Sequence, residues 1–414
     1  MRERMAVALI LMLLFSASCT AIELNGSTMV GGLVAVIPFE LYGSAIMVEL
    51  TIDGSDALDF IFDTGAGGTI LSARTAERLD ITGDETVSRQ GAAGDAPVVL
   101  SEKHTLTIGD LTLSDIALGI AGLDHIDRRF GVRIEGAIGW AILSQYAVRL
   151  NYDRMQIEVY DTRRYDYNLA AQAYDLEVSG TTLLIHAAVG FESGAVFTGR
   201  VIVDSGSTGS IFFNTPFARE KDLLSEIGSS YAREVIAGLS ADSYQVVTTM
   251  LSSFTVGPYE FVDMPAKIAF AESGALSWPG IMGILGNNIL KRFNLFIDVQ
   301  QETIFLEPNQ LYQEAFEFNC SGLELIMDEN FERVIVDHVY ETSPAEEAGL
   351  RVGDEILQID GQSASDLQLM QIRSMLRQDG REVEILVSRE GDQTNFLLRL
   401  RPLIGLENRR PSPL

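Results

Sequence analysis

The feature that constrains this chain most is a segment that occurs twice. An apolar run leads into Asp63-Thr64-Gly65 and then into small and again apolar residues, and the same order recurs around Asp204-Ser205-Gly206. Each copy also has a later motif, Gly136-Ala137-Ile138-Gly139 in the first and Gly283-Ile284-Leu285-Gly286 in the second. Two motifs that recur in the same order at nearly the same spacing predict two similar structural units.

The residues between these motifs indicate that both units are mostly β. Short runs rich in Val, Ile, Thr and Phe, such as Met47 to Ile52 and Leu183 to Val189, are separated by turn pairs such as Asp53-Gly54. This pattern is typical of short strands joined by tight turns. We predict an N-terminal β lobe over residues 30–165 and a second β lobe over residues 175–310.

A third unit is predicted over residues 316–404, with a mixed α and β pattern. Pro344 suits the first turn of a short helix that stops at Gly349. A strand over Glu355 to Ile359 then runs into the Asp360-Gly361 turn. A further helix over Leu367 to Leu376 and two later strands complete an α+β unit, and residues 405–414 are expected to be a disordered tail.

The repeated Asp residues suggest a specific chemistry. A single Asp-Thr-Gly is an ordinary turn sequence. Two copies in similar lobes that dock about a pseudo-two-fold axis bring Asp63 and Asp204 together. Two close carboxylates share one proton, so one acts as a base toward water while the other acts as an acid.

These motifs resemble those of retropepsin-like and pepsin-like aspartic peptidases. That family carries apolar-Asp-(Thr/Ser)-Gly-(Ala/Ser) and later apolar-Gly-x-x-apolar-Leu, and both signatures occur here twice over roughly residues 35 to 308. The resemblance is to the form with both lobes in one chain. It implies that Asp63 and Asp204 are catalytic, supported by Thr64, Gly65 and Ala66 in one lobe and by Ser205, Gly206 and Ser207 in the other. A hydroxyl at Ser207 is expected to stabilise an ionised Asp204, which Ala66 cannot do for Asp63.

The same family closes a β-hairpin flap over its substrate. Two segments lie between the Asp motif and the Gly-x-x-Gly motif of their lobe, as such a flap does, and either is a candidate. The first contains Gly91 and Gly94, and the second contains Gly238 and Tyr244. Two ordinary surface hairpins are the alternative interpretation.

The third unit resembles a PDZ domain of exported bacterial proteases, through Ser343-Pro344-Ala345-x-x-Ala348-Gly349-Leu350 and Gly353-Asp354-x-Ile356-Leu357-x-Ile359-Asp360-Gly361. PDZ domains add an extended peptide to a sheet edge and hold its C-terminal carboxylate in backbone N–H groups. The resemblance places that loop at Gly322, Leu323, Glu324 and Leu325. A PDZ fold that only packs on the protease lobes is the alternative.

Composition narrows the possible partners. The formal net charge is −28, which argues against nucleic acid, because binding to phosphates requires basic surface. With only Cys19, Cys320 and four scattered His residues, no metal site and no cofactor are expected.

The N-terminus is typical of an export signal over residues 1–21. A basic start precedes an apolar run, Ala6 to Phe15, that is too short to span a bilayer. Cleavage before Cys19 would leave a lipid-anchored protein, and cleavage after Ala21 would leave a soluble one. The expected location is the periplasm or cell envelope of a bacterium, with membrane contact only through a lipid on Cys19.

Together these features predict an aspartic endopeptidase. Its substrate is a polypeptide, recruited or positioned by a PDZ domain that binds a peptide C-terminus. The alternative is a peptide-binding or scaffold protein of the cell envelope that keeps the two lobes without catalysis.

Overall fold

The computed structural model describes residues 22–24, 27–164, 166–168, 172–227, 231–237 and 243–404. The predicted signal segment with Cys19, the flap candidate Gly238 and the predicted tail at 405–414 lie outside the described residues.

The first half of the chain is built mainly from strands. These are β1 (Ile22–Leu24), β2 (Ser27–Val30), β3 (Leu33–Pro38), β4 (Glu40–Tyr42), β5 (Ala45–Ile52), β6 (Leu58–Phe62), β7 (Thr69–Ser72), β8 (Gly83–Gln90), β9 (Asp95–Ile108), β10 (Leu111–Ala121), β11 (Gly136–Ile138), β12 (Ala147–Asn151), β13 (Gln156–Tyr160) and β14 (Asp166–Asn168). The helices are α1 (Ala73–Arg78), α2 (Asp124–Phe130) and α3 (Trp140–Leu143).

The second half of the chain is likewise built mainly from strands, with a few short helices. Its strands are β15 (Ala173–Asp175), β16 (Glu177–Ser179), β17 (Thr182–Gly190), β18 (Val196–Asp204), β19 (Ile211–Phe213), β20 (Ala232–Ala237), β21 (Ser243–Val256), β22 (Tyr259–Ala269), β23 (Gly283–Gly286), β24 (Phe293–Asp298) and β25 (Thr303–Pro308). Its helices are α4 (Thr215–Glu220), α5 (Leu223–Glu226) and α6 (Asn287–Leu290), with a 3₁₀ turn at Ala275–Ser277.

The C-terminal unit mixes strands and helices. It contains β26 (Leu323–Met327), β27 (Val334–Val339), α7 (Pro344–Ala348), β28 (Glu355–Ile359), β29 (Gln362–Ser363), a 3₁₀ turn at Ala364–Asp366, α8 (Leu369–Met375), β30 (Glu382–Arg389) and β31 (Asp392–Arg399). Helix α7 begins where the Ser343 hydroxyl accepts from the Glu346 N–H, and it ends at Gly349, whose φ of 94° is left-handed.

The two large sheets have the same strand order. The first runs β4-β5-β6-β11-β7-β10-β9-β8, and the second runs β16-β17-β18-β23-β19-β22-β21-β20. Each strand of one sheet therefore has a counterpart at the same place in the other. The fold is mostly β, as the sequence predicts.

A six-stranded sheet, β15-β25-β24-β12-β13-β3, joins the two lobes. Strands β12 and β24, which occupy matching places in the two halves, pair antiparallel with Val148 opposite Ile297. One hydrophobic core continues through both lobes and includes Phe62 and Val203, just before the two Asp residues. The C-terminal unit has a core of its own around Leu325, Val336 and Ile359, so the molecule consists of a fused pair of lobes and a separately packed third unit.

Candidate active site

Asp63 and Asp204 occupy matching positions in the two lobes. Asp63 follows β6, which pairs in parallel with β11, and Asp204 ends β18, which pairs in parallel with β23. The Asp motif and the Gly-x-x-Gly motif of each lobe therefore lie side by side. Both Asp residues line one cavity of about 1440 Å³.

Hydrogen bonds between the lobes fix the floor of this cavity. The Thr64 hydroxyl donates to the Val203 carbonyl at 2.8 Å and accepts from the Ser205 N–H at 2.9 Å. In return, the Ser205 hydroxyl donates to the Phe62 carbonyl at 3.0 Å and accepts from the Thr64 N–H at 3.0 Å. Since both side chains are fully buried, these reciprocal bonds hold the two Asp-bearing turns in one arrangement.

Gly65 and Gly206, which follow Thr64 and Ser205, allow the two carboxylates to approach each other. A Cβ atom at Gly65 would lie 2.8 Å from the Asp204 carboxyl carbon, and one at Gly206 would lie 2.3 Å from that of Asp63. Any side chain at either position would therefore push the opposite carboxylate away. The backbone N–H of Gly65 also donates to Asp63 Oδ1 at 2.7 Å.

The pair has unequal acidities. Desolvation at the floor of the cleft raises the pKa of Asp63, while backbone N–H groups and the hydrogen bond with Asp204 oppose that rise. The pKa of Asp204 lies well above its usual value, because desolvation is reinforced by the negative charge of Asp63. The two carboxyl groups therefore share a proton over a pH range in which an exposed Asp would be ionised.

Ser207 and Ala66 each donate a backbone N–H to the carboxylate of their own lobe. It is the backbone N–H of Ser207 that donates to Asp204 Oδ1, at 2.9 Å, and the backbone N–H of Ala66 likewise lowers the pKa of Asp63. The main chain therefore stabilises both carboxylates in the same way, and the expected role of the Ser207 hydroxyl stays a prediction.

The first flap candidate forms a roof over the cavity. Gly91 and Gly94 lie at the tip of the β8–β9 hairpin, and this tip is bonded to the second lobe. The Gly94 N–H donates to the Ser273 carbonyl at 3.1 Å, and the Ala275 N–H donates to the Gly91 carbonyl at 3.0 Å. The hairpin therefore spans from one lobe to the other, and residues 88–92 line the cavity that contains the two carboxylates; we call this hairpin the roof.

The second lobe provides a socket for this tip. Ala93 is only 3% exposed and packs in an apolar cluster with residues such as Leu184, Ala271 and Leu276 of the second lobe. A Cβ atom at Gly274, whose φ is 76°, would lie 2.7 Å from the Gly91 carbonyl oxygen. The socket thus requires a glycine for both its conformation and its closeness to the tip. The sequence analysis did not identify this socket.

The second flap candidate is described only in part. Tyr244, in β21, lines the cavity, while Gly238 lies outside the described residues. The described strands β20 and β21 form the hairpin that corresponds to β8–β9 in the strand order.

Part of the predicted carboxylate loop lines the same cavity as the two Asp residues. Gly322 precedes β26, and Leu323 and Glu324 line the cavity together with Asn319 and Ser321. Leu325 points instead into the core of the C-terminal unit.

One buried residue beside the floor was not singled out from the sequence. Asn287 follows the second Gly-x-x-Gly motif, where the first lobe has Trp140. Its amide donates to the Ser44 carbonyl and accepts from the Tyr152 hydroxyl, so it ties the second lobe to the first. The sequence signal that could have identified Asn287 was a polar residue directly after an apolar segment, because a buried polar side chain needs hydrogen-bond partners.

The described residues also bear on metal binding and on membrane insertion. In the ranges given above, no group of three or more His, Cys, Asp or Glu side chains is placed to hold a metal ion. No helix within those ranges is both long and apolar enough to cross a bilayer.

Comparison with known families agrees with this geometry. A family model described as aspartyl protease matches residues 48–142, which include Asp63 and the first Gly-x-x-Gly motif. A model described as PDZ domain matches residues 335–390. The chain carries an aspartyl protease domain and a PDZ domain. No curated protein matches the sequence.

The PDZ domain is docked on the first lobe of the protease. Arg128 in α2 donates to the Met327 carbonyl of β26 at 2.9 Å. Arg129 pairs with Asp337 at 3.1 Å, and the Arg133 guanidinium lies 4.7 Å from the centre of the Phe331 ring. These contacts connect one protease helix and its following loop to the first hairpin of the PDZ domain.

Proposed function

We propose that this protein is an aspartic endopeptidase in which Asp63 and Asp204 activate a water molecule to hydrolyse peptide bonds. The observation that carries the proposal is the pairing of the two carboxylates across the hydrogen-bonded floor, where burial raises the pKa of both. The PDZ domain recruits or positions the polypeptide.

The first step adds water to the peptide bond. Asp63, the ionised member, takes a proton from the water as the water oxygen bonds to the carbonyl carbon. Asp204 gives its proton to the carbonyl oxygen, and a tetrahedral diol forms. Raised pKa values suit this exchange, because an acid and a base work best when their pKa values lie near the working pH.

The second step breaks the bond between carbon and nitrogen. Asp63 passes its proton to the leaving nitrogen while one diol hydroxyl returns a proton to Asp204. A carboxylic acid and an amine leave, and the pair regains its starting state. Acid and base positioned in this way contribute roughly 10²- to 10⁴-fold each to the rate.

The test is cleavage of reduced casein between about pH 3.5 and about pH 7.5 by the wild type and by Asp63→Asn and Asp204→Asn. We expect a bell-shaped profile for the wild type, with its optimum above the usual Asp pKa of about 3.9, because both pKa values are raised. Each Asn variant should lose at least roughly 10²-fold in rate.

Asp110→Asn is the matched control, since Asp110 is an exposed turn residue in the first lobe. It should retain the wild-type rate. Absence of cleavage by the wild type at every pH, with the chain folded, would contradict the proposal and favour the peptide-binding scaffold.

We also propose that the protein acts outside the cytoplasm, in the periplasm or cell envelope of a bacterium. The support is the apolar N-terminal run followed by small residues and Cys19. Mass spectrometry of the mature N-terminus, after expression in a bacterium, distinguishes a lipid on Cys19 from cleavage after Ala21. A mature chain that still begins at Met1 would contradict export by this route.

A further inference from the structure

The polar groups along the edge strand of the PDZ domain already have partners within the chain. Strand β26 lies at the edge of its sheet, where a PDZ ligand adds as a further strand. The carbonyls of its first, third and fifth residues accept from the side chains of Asn319, Arg373 and Arg128, at 3.0, 2.6 and 2.9 Å. In the loop before β26, the N–H groups of Ser321 and Gly322 both donate to the Asn319 side-chain oxygen, at 3.2 and 2.9 Å. A peptide at this edge would therefore have to compete with the protein's own side chains.

The first lobe also packs against helix α8 of the PDZ domain. A Cβ atom at Gly131 would lie 2.5 Å from the Leu369 Cβ, and one at Gly43 would lie 2.7 Å from the Met370 methyl carbon. Gly131 ends helix α2, and Gly43 lies in the turn between β4 and β5. Helix α8 therefore lies directly against two turns of the protease.

Tyr42 joins these two contacts. Its ring stacks on that of Phe130, the last residue of α2, with the ring centres 6.4 Å apart and an angle of 20° between the rings. Burial raises the pKa of the Tyr42 hydroxyl, and the nearby charge of Arg373 in α8 opposes that rise. The β4–β5 turn and α2 are thus held together at the surface of the PDZ domain.

The β4–β5 turn also reaches the floor of the catalytic site. The buried Ser44 hydroxyl donates to the Thr208 carbonyl at 2.9 Å, and the Ser44 carbonyl accepts from the Asn287 amide. The backbone N–H of Asn287 donates to the Ser207 carbonyl at 2.6 Å. The Ser207 N–H in turn donates to Asp204 Oδ1 at 2.9 Å. A continuous series of contacts therefore leads from the PDZ helix to one of the two carboxylates.

The corresponding turn of the second lobe lacks this support. It contains Gly180 and Thr181, between β16 and β17, and Thr181 lies against Gly67 in the loop that follows the first Asp residue. Each turn therefore rests on the Asp-bearing loop of the opposite lobe. A Cβ atom at Gly180 would meet no atom of the described residues within 4 Å, whereas its counterpart Gly43 lies against the Met370 side chain. The PDZ domain thus supports the turn that reaches the second Asp-bearing loop.

We propose that the PDZ domain positions the catalytic pair by supporting the β4–β5 turn, and not by binding a peptide at β26. Met370 and Ser44 are positioning residues that act on Asp204 through the segment Ser207–Thr208. Support of this kind affects the rate, because a displacement of about 1 Å in a catalytic group can cost roughly 10²-fold. This inference rests on the proposed peptidase function, and it narrows the part of the PDZ domain from recruitment to positioning.

The first test is the rate at which the full chain cuts a peptide taken from a casein cleavage site. Met370→Ala removes the support, and we expect kcat to fall roughly three- to tenfold with KM unchanged, because the geometry of the acid and base is affected and peptide binding is not. Met370→Leu restores the volume and should recover most of the rate. Val352→Ala, at a 65% exposed position of the PDZ domain, is the matched apolar truncation and should behave as the wild type.

The other outcomes of this test contradict the inference. A raised KM with kcat unchanged would mean that Met370 contacts the substrate and does not position the pair. Equal losses in Met370→Ala and Val352→Ala would mean that truncation anywhere in the PDZ domain has the same effect.

Hydrogen exchange tests the connection independently of activity. In Met370→Ala, the amides of Ser207 and Asn287 should exchange at least roughly threefold faster. The amide of Ala66, which has the equivalent place in the first lobe and donates to the Asp63 carbonyl, should keep its rate. Unchanged exchange at Ser207 and Asn287, or an equal increase at Ala66, would overturn the inference. If the wild type cuts no casein while exchange responds as expected, the peptidase proposal fails and the connection from the PDZ domain to the floor stands.

The last test concerns recruitment at the edge strand. The same casein peptide is made as a free acid and as a C-terminal amide, and we expect the wild type to cut both at the same rate. A PDZ domain that holds a peptide C-terminus distinguishes the two forms. Faster cleavage of the acid would therefore show that the edge strand recruits the substrate, and the inference would be wrong.

Discussion

The two lobes share a strand order but use the same connection for different purposes. In the first lobe, the connection from β10 to β11 carries α2, whose Arg128 docks on the PDZ domain. In the second lobe, the connection from β22 to β23 carries the turn Ala275–Ser277, which receives the tip of the opposite hairpin. The shared sheet order thus preserves the floor of the site, while the connections provide its roof and its junction with the third domain.

The floor itself is nearly symmetrical. Thr64 and Ser205 exchange the same hydrogen bonds, and each Asp has a glycine of the other lobe against it. The β8–β9 hairpin is anchored in a socket of the second lobe, and the tip of the corresponding hairpin lies outside the described residues. The geometry of the carboxylates therefore depends on both lobes equally, whereas the placement of the β8–β9 tip depends on one connection of the second lobe.

The largest effect on stability should come from the symmetrical floor. Thr64→Val leaves the Ser205 N–H and the Val203 carbonyl without a partner, at about 1–3 kcal/mol for each group. We expect a loss of roughly 2–4 kcal/mol in the free energy of unfolding, measured by urea denaturation. Thr64→Ser keeps the hydroxyl and should lose far less. Equal losses for the two variants would mean that the hydroxyl is not the stabilising group.

A smaller loss in the free energy of unfolding should follow from replacing Asn287, which stands beside the floor where the first lobe has Trp140. Asn287→Leu leaves the Tyr152 hydroxyl buried and unpaired, and we expect a cost of about 1–3 kcal/mol. Adding Tyr152→Phe removes that orphaned hydroxyl and should recover part of the loss. A double variant as unstable as the sum of the single ones would argue against this coupling.

A substitution at the tip of the β8–β9 hairpin should change the structure only near that tip. Ala93→Asp puts a charge into an apolar cluster, so the hairpin tip should leave its socket. We expect the amides of Gly94 and Ala275 to exchange hydrogen at least roughly tenfold faster, while the core strands keep their protection. Thr86→Asp, at an exposed position of the same hairpin, is the control. Unchanged exchange at the tip in Ala93→Asp would show that the socket does not hold it.

The smallest effect concerns the carboxylate pair. The folded-state pKa of Asp204 is raised, so its contribution to stability is complete below the unfolded pKa of about 3.9 and is lost as the pH rises through the folded value. Asp204→Asn avoids that loss. Its Tm should exceed that of the wild type at neutral pH, and the difference should vanish in acid. A constant difference at all pH values would exclude proton linkage as its cause.

Much of this architecture follows from local sequence patterns. The two Asp-(Thr/Ser)-Gly runs, the later Gly-x-x-Gly motifs and the helix from Pro344 to Gly349 are each contained in a few consecutive residues. A turn, a strand end or a helix boundary depends on neighbours within the same segment, so such patterns predict it. The mostly β fold was predicted on this basis, and the PDZ domain was predicted from its resemblance to a known family.

Other properties depend on contacts that no local pattern records. Arg128 meets Met327 across 199 positions of sequence, and Ala93 enters a cluster built by the other lobe. The sequence by itself determined which residues could form two Asp-bearing turns and a PDZ domain. Only the tertiary structure decided that one cavity contains both the two carboxylates and residues of the PDZ loop. The contacts that bound this cavity join surfaces whose relative placement is set by the packing of whole domains.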